Sequence, residues 1–254
     1  MGLFDFLKPK NKAEDMSSQP GINRPECDIT KTQIMVDLFQ VAANERDDEW
    51  RNNFYAHVQT ASFACGDPQV FNGPDGFPYF VLKTPEPGKP FESFCIHNMK
   101  DDFLLAKGLG VAINPGGHSA DWVFTYGDIV NLHVNNEFYS EGDHIELQNE
   151  EIIKKEEEVL VAQPSESYLP KQARLVLSSF LQSIGIKKPK IMMICRTIEG
   201  SLAQELAFNI FPEDYSSVEQ LNSMLKQISW FLPRHYIVLS LPKNSNLTGS
   251  FEEL

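Results

Sequence analysis

The chain has 254 residues, and its 22 Lys+Arg against 35 Asp+Glu give a formal net charge of −13. Hydrophobic residues make up 42% and charged residues 22%, with 15 Gly and 16 Pro, so the composition excludes collagen, a coiled coil and a chain disordered throughout. The acidic balance argues against a nucleic-acid-binding protein. No apolar run approaches the ~18 residues that a transmembrane helix needs.

Residues 1–29 are predicted to be a flexible tail with an apolar tip. Residues 8–28 contain three prolines and almost no large apolar side chain, so they cannot repay the entropy of ordering. The tip consists of Leu3, Phe4, Phe6 and Leu7. Those side chains favour docking on a protein, either a partner or the chain's own core.

Residues 30–149 are predicted to form an N-terminal α+β domain. Helical periodicity begins at Thr30 or Thr32, and a second helix is expected from Asp47. Strands are expected at 79–82, 93–96, 109–113 and 121–124, with a short helix at 98–108. Thr125 and Asp128 resemble a capping box that opens another helix.

A domain boundary is predicted at the charged linker 150–158. Residues 1–158 carry a formal charge of −14, whereas residues 159–254 carry +1. Residues 159–242 are then predicted to form a second domain in the order β-α-β-β-α-β, with the ferredoxin-like arrangement. Residues 243–254 lack periodicity and are predicted to be a tail. The expected fold class is therefore α+β, with two α/β-sandwich domains.

The cysteines and histidines give no metal or cofactor signature. Four cysteines stand 30 or more residues apart without a CxxC motif, which is typical of reduced thiols in the cytosol. The six histidines show no HxH or HExxH spacing. We therefore predict no metal, although a site assembled over long distances would draw on His118, His133, Asp121 and Asp143.

Asn114-Pro115-Gly116-Gly117 predicts a type II turn that joins the strands 109–113 and 121–124 as a hairpin. A turn of this kind also presents backbone N–H groups, which could form a small anion or partner site.

Two stretches of the sequence resemble the two domains of the enhanced serine sensitivity protein B (SseB-like) family. The N-terminal domain is matched by GVAINPGG…DWVFTYGDIVNL, and the C-terminal domain by VLVAQPSESYLPKQARLVLSSFL…KIMMICRTI…LAFNIF…HYIVLSL. Gln163-Pro164 matches that family's "QP" after the first strand of its C-terminal domain, and Pro170 matches its helix-opening proline. The resemblance implies a cytoplasmic bacterial protein with two α+β domains and no established catalytic residues. It also implies a link with serine sensitivity and with a rhodanese-type sulfurtransferase as partner.

We therefore predict a non-enzymatic adaptor or regulatory protein that binds a protein partner. One alternative is an amino-acid sensor that uses the loop after the first C-terminal-domain strand, Gln163-Pro164-Ser165-Glu166-Ser167. A second alternative is a weak hydrolase at Gly117-His118-Ser119-Ala120-Asp121, where Asp121 replaces the final glycine of the G-x-S-x-G motif.

Overall fold

The computed structural model describes residues 27–117, 119–140, 159–198 and 201–254. The chain divides into two compact units, unit 1 up to Thr125 and unit 2 from Tyr126 onward. Each unit contains its own β-sheet, which confirms the predicted α+β class with two sheet domains. The tail tip at residues 3–7 and the linker at 150–158 lie outside the described residues, so both stay predictions.

In the described part of unit 1, the first elements are the helices α1 (Ile29–Phe39) and α2 (Asp48–Val58). The N-cap of α1 is Asp28 rather than Thr30 or Thr32, because the Asp28 carboxylate accepts a hydrogen bond from the Thr30 N–H at 2.9 Å. The Asp47 carboxylate caps α2 in the same way and accepts from the Trp50 N–H at 2.8 Å. The predicted start of α2 is therefore confirmed.

Among the described residues of unit 1, four strands form a sheet in the order β1-β2-β3-β4. They are β1 (Ala64–Asn72), β2 (Pro78–Lys83), β3 (Gly110–Ile113) and β4 (Trp122–Phe124). β1 pairs antiparallel with β2, β2 parallel with β3, and β3 antiparallel with β4. The parallel pair requires a crossover, which contains α3 (Ile96–Met99) and a π-helical continuation over Lys100–Leu105.

One strand of unit 1 was not predicted, and one predicted strand is absent from the described residues. β1 was not predicted, because Pro68 interrupts its pattern; the structure places Pro68 where the register shifts between Cys65 and Val70 on this edge strand. Residues 93–96 were predicted as a strand. They form only the bridge from Phe94 to Phe63, and the chain then enters α3.

The described residues of unit 2 form three α-helices and a second sheet. The helices are α4 (Tyr126–Asn135), α5 (Lys171–Ser183) and α6 (Val218–Ser229). The strands are β5 (Leu160–Ala162), β6 (Lys190–Ile198), β7 (Ser201–Phe208), β8 (Ile237–Leu239) and β9 (Glu252–Glu253). The order of elements from β5 to β8 is the predicted β-α-β-β-α-β.

The strand arrangement of unit 2 differs from the predicted ferredoxin-like one. Its sheet order is β5-β6-β7-β8, and the helix-linked strands β5 and β6 are antiparallel neighbours. A split β-α-β unit would instead place another strand between two parallel ones. Helical and strand periodicity define the elements but not which strands pair. The predicted ferredoxin-like order of strands within the sheet is therefore wrong.

Residues 243–254 were predicted as a tail, yet they return to the sheet. β9 pairs antiparallel with Lys190 and Ile191 of β6. One face of the sheet packs against this returning segment, with Phe251 only 8% exposed. The sheet and the returning segment together form a hydrophobic cluster, whose buried members are Met192, Ile194, Ala207, Leu241 and Phe251. The segment therefore completes a core.

α4 packs within unit 2, although its residues belong to the predicted N-terminal domain. The Gly127 N–H donates to the Trp230 carbonyl at 2.9 Å, and a Cβ on Gly127 would lie 1.9 Å from the Leu232 carbonyl oxygen. Asp128 is fully buried and accepts from Arg234 Nε at 2.9 Å and Nη2 at 3.1 Å. The close approach of Gly127 to the Leu232 backbone is possible only because glycine lacks a Cβ.

None of the helices in the described part of the chain has both the length and the apolar composition that a bilayer crossing requires.

Candidate functional site

The predicted hairpin between β3 and β4 is confirmed, but its turn differs from type II. Positive φ angles occur at Asn114 (+49°) and Gly117 (+55°) and not at Gly116. The Gly116 N–H donates to the Ser119 carbonyl at 3.0 Å, and the Ser119 N–H donates back to Gly116 at 3.1 Å. This reciprocal pair makes the tight turn at Gly117, two residues later than predicted.

The Asn114 side chain braces the turn from within. Its Oδ1 accepts from the Thr84 N–H at 2.8 Å and from Thr84 Oγ1 at 3.3 Å. Its Nδ2 donates to Asp121 Oδ2 at 2.8 Å. One side chain thus ties the end of β2 to both ends of the turn, while Gly116 and Gly117 stay exposed.

Arg46 fixes the other side of the hairpin. Its Nε donates to the Val41 carbonyl at 3.1 Å, and its Nη1 donates to the Asp121 carbonyl at 2.8 Å. The guanidinium lies 4.6 Å from the centre of the Trp50 ring, within the range of a cation–π contact. Arg46 therefore joins the segment after α1 to the start of β4.

These contacts border an open cleft of about 370 Å³, called here the β4 cleft. Its lining residues are Ala43, Arg46, Arg51, Ala120, Asp121, Trp122 and Val123. Trp122 rests on an aromatic layer, with its ring 4.6 Å from Phe54 and 5.6 Å from Trp50. Val123 is 40% exposed although it belongs to the sheet. The cleft thus combines a rigid aromatic support with an exposed apolar side chain.

The second cation of the β4 cleft, Arg51, is held at the surface. Its Nη2 lies 2.5 Å from Asp48 Oδ1, and its Nη1 donates to the Arg46 carbonyl at 3.3 Å. The hydrogen bond to Asp48 raises the pKa of Arg51, so its charge is permanent. The cleft can therefore offer guanidinium groups beside an apolar edge, which suits contact with a polypeptide.

Gln163 and Pro164, the other predicted ligand residues, lie in unit 2 and are tied into its structure. Gln163 Nε2 donates to the Ser250 carbonyl at 3.2 Å. Pro164 is buried, and its carbonyl accepts from Arg174 Nη2, while Arg174 Nε donates to the Leu169 carbonyl at 2.9 Å. Burial lowers the pKa of Arg174. The loop is therefore pinned by an arginine of α5.

The residues considered for catalysis or metal binding are only partly described. The Ser119 backbone closes the tight turn, and the Asp121 carboxylate accepts from Asn114. His118 and Asp143 lie outside the described residues. Across the described ranges, no group of three or more His, Cys, Asp or Glu side chains could hold a metal ion.

Sequence reasoning missed Arg46, Arg51, Trp122 and Val123, because no motif marks them and only the fold brings residues 43–51 to β4. It also missed a close approach of Cys27 and Cys95, which are 68 positions apart.

Comparison with known proteins gives no match to a protein family, to a curated protein or to a solved structure.

Proposed function

We propose that this chain is a non-catalytic, cytoplasmic protein of the SseB-like family that binds a protein partner at the β4 cleft. The observation that carries the proposal is an exposed edge strand with a solvent-facing valine, supported from behind by an aromatic layer and bordered by two arginines. Protein interfaces are enriched in Trp and Arg and centre on apolar contacts of this kind.

The edge position of β4 supports an extended occupant. β4 is the last strand in the order β1-β2-β3-β4, so β3 pairs with it on one side. The edge of a sheet is where an extended peptide can bind by adding a strand. We therefore assign the β4 cleft to an extended segment of a partner that places an apolar side chain on Val123.

Preorganisation of the cleft supports binding rather than a merely exposed loop. Asn114 and Arg46 both bond to Asp121, and Arg46 also contacts Trp50. A surface that is rigid before binding loses little conformational entropy on association. The SseB-like resemblance makes a rhodanese-type sulfurtransferase the first partner to test, and it suggests a role linked to serine sensitivity.

The test compares two aspartate variants of exposed apolar residues in a binding assay. Val123→Asp replaces the exposed apolar side chain of the β4 cleft with a charged one, whereas Leu175→Asp changes a leucine on α5 that is 58% exposed. Tagged wild-type protein and both variants are used to capture partners from lysate, and purified sulfurtransferase is added in parallel. We expect Val123→Asp to weaken recovery of a specific partner at least about tenfold, while Leu175→Asp leaves it unchanged.

Circular dichroism and thermal melting of each variant establish that the fold is retained. Equal recovery of the partner by wild type and Val123→Asp would contradict the assignment to the β4 cleft. Failure to capture any specific protein, with or without chemical cross-linking, would contradict partner binding altogether.

A further inference from the structure

Two cysteines distant in sequence meet inside unit 1. The Cys27 and Cys95 Sγ atoms lie 2.7 Å apart, in thiol-to-thiol contact. A disulfide bond is ~2.05 Å long, so the two sulfur atoms need to move by less than about 1 Å to reach bonding distance. Both residues are free thiols in this structure.

The backbone holds both cysteines in place. Asp28, next to Cys27, donates its N–H to the Thr60 carbonyl at 2.8 Å. Phe94, next to Cys95, exchanges two backbone hydrogen bonds with Phe63, at 2.8 and 2.9 Å. The segment 60–63 therefore anchors both cysteines, and their contact follows from main-chain pairing rather than from mobile side chains.

We propose that Cys27 and Cys95 form a reversible intramolecular disulfide when the protein meets a small disulfide oxidant such as oxidised glutathione. The bond would link Cys27, two residues before the start of α1, to Cys95, the residue just before α3. This inference is independent of partner binding at the β4 cleft.

The two thiols have different roles in the exchange. Cys27 is partly exposed and accepts a hydrogen bond from Asn98 Nδ2 at 3.6 Å, whereas Cys95 is fully buried. The Cys27 thiolate attacks one sulfur of oxidised glutathione, whose S–S bond breaks and releases one glutathione thiol. Cys95, after losing its proton to solvent, attacks Cys27 Sγ and releases the second glutathione. The two protein thiols lose two electrons and two protons, and glutathione gains both.

The second step requires the Cys95 thiolate. Burial, together with the contact to Cys27, raises the pKa of Cys95 to about 12. Because the thiolate is the nucleophile, closure of the disulfide is expected to accelerate as the pH rises from 7 to 9.

The test treats the full-length protein with oxidised glutathione and maps its thiols by non-reducing peptide mass spectrometry. We expect a Cys27–Cys95 peptide and a mass loss of about 2 Da, both reversed by dithiothreitol. Cys95→Ser is expected to stop at the mixed disulfide on Cys27, a mass gain of about 305 Da. The matched controls Cys65→Ser and Cys195→Ser are expected to close the bond as wild type does.

A second measurement follows stability. The disulfide closes a long loop, so oxidation is expected to raise the melting temperature of wild type by at least about 5 °C and to leave Cys27→Ser unchanged. Glutathione attached to Cys65 or Cys195 without a Cys27–Cys95 peptide would overturn the proposal. So would a cross-linked peptide that forms only after the protein is unfolded.

Discussion

At the scale of single residues, Asn114 combines two requirements at one position. Its φ of +49° lies in the left-handed region, which asparagine tolerates better than other residues with a side chain. Its amide also bonds to Thr84 and Asp121. Alanine loses both advantages, whereas glycine loses only the hydrogen bonds.

We therefore expect a definite order of stability among three proteins, with wild type above Asn114→Gly and Asn114→Gly above Asn114→Ala. The alanine variant should lose about 2–4 kcal/mol, and the glycine variant about 1 kcal/mol less than that. Urea unfolding with a common m-value measures both differences. Equal losses of stability in the two variants would show that the positive φ at position 114 does not destabilise the alanine variant.

Buried tyrosines make the protein sensitive to alkali. The rings of Tyr168 and Tyr236 stack 4.1 Å apart, and the Tyr236 hydroxyl donates to the Tyr168 carbonyl at 2.5 Å. Burial raises the pKa of Tyr126, Tyr168 and Tyr236 above the ordinary value of 10.0. The unfolded state then loses these protons first, so stability is complete below pH 10 and falls as the pH rises above it.

We expect these three tyrosines to ionise only as the protein unfolds. Absorbance at 295 nm followed against pH should show a late step that coincides with the loss of far-UV circular dichroism. The same titration in concentrated urea should show a single step near the ordinary value. A late rise in absorbance that comes before the loss of circular dichroism would contradict the expectation that these tyrosines ionise only on unfolding.

At the scale of elements, the C-terminal segment is the clearest departure from prediction. Phe251 is 8% exposed and lies in the cluster with Met192 and Ile194 of β6, and its ring centre is 6.2 Å from that of Phe211. β9 pairs with β6 over only two residues, which is too short for strand periodicity to show in the sequence. The segment can still bury a single large side chain such as Phe251.

Phe251→Ala is expected to destabilise the protein by ~3 kcal/mol, because a buried aromatic ring is removed and a cavity remains. The neighbouring exposed residue gives a control, with Glu253→Ala expected within ~0.5 kcal/mol of wild type. Chemical denaturation measures both. A loose tail would instead make the two substitutions equally harmless.

At the scale of the whole molecule, the point of division decides which fragment folds. The units divide after Thr125, so α4 belongs with unit 2 through Gly127 and through the ion pair between Asp128 and Arg234. The boundary predicted at 150–158 would leave α4 in the first domain. A fragment that begins at residue 159 then lacks the helix that packs on Trp230.

We expect fragment 126–254 to melt cooperatively and at a higher temperature than fragment 159–254, which should lose several kcal/mol of packing. Circular dichroism melts and two-dimensional NMR spectra of the purified fragments compare them. Equal melting temperatures would show that α4 contributes nothing to unit 2.

Local signals predicted a large part of the fold. Periodicity and capping residues predicted α2, α5 and α6, and the Asn114-Pro115 sequence predicted the hairpin of β3 and β4. β1 was missed because Pro68 at the register shift breaks the pattern of a strand. In the candidate site, Asn114 was predicted, whereas Arg46 and Val123 were not.

By itself, the amino-acid sequence determined the α+β class, the order β-α-β-β-α-β in the second half and the position of most helices, because these depend on side-chain periodicity over neighbouring residues. Only the tertiary structure decided the sheet orders, the return of residues 243–254, the place of α4, the β4 cleft and the contact of Cys27 with Cys95. Each of these depends on pairing and packing between residues distant along the chain, where the free energy comes from shape, burial and main-chain hydrogen bonds that no local pattern encodes.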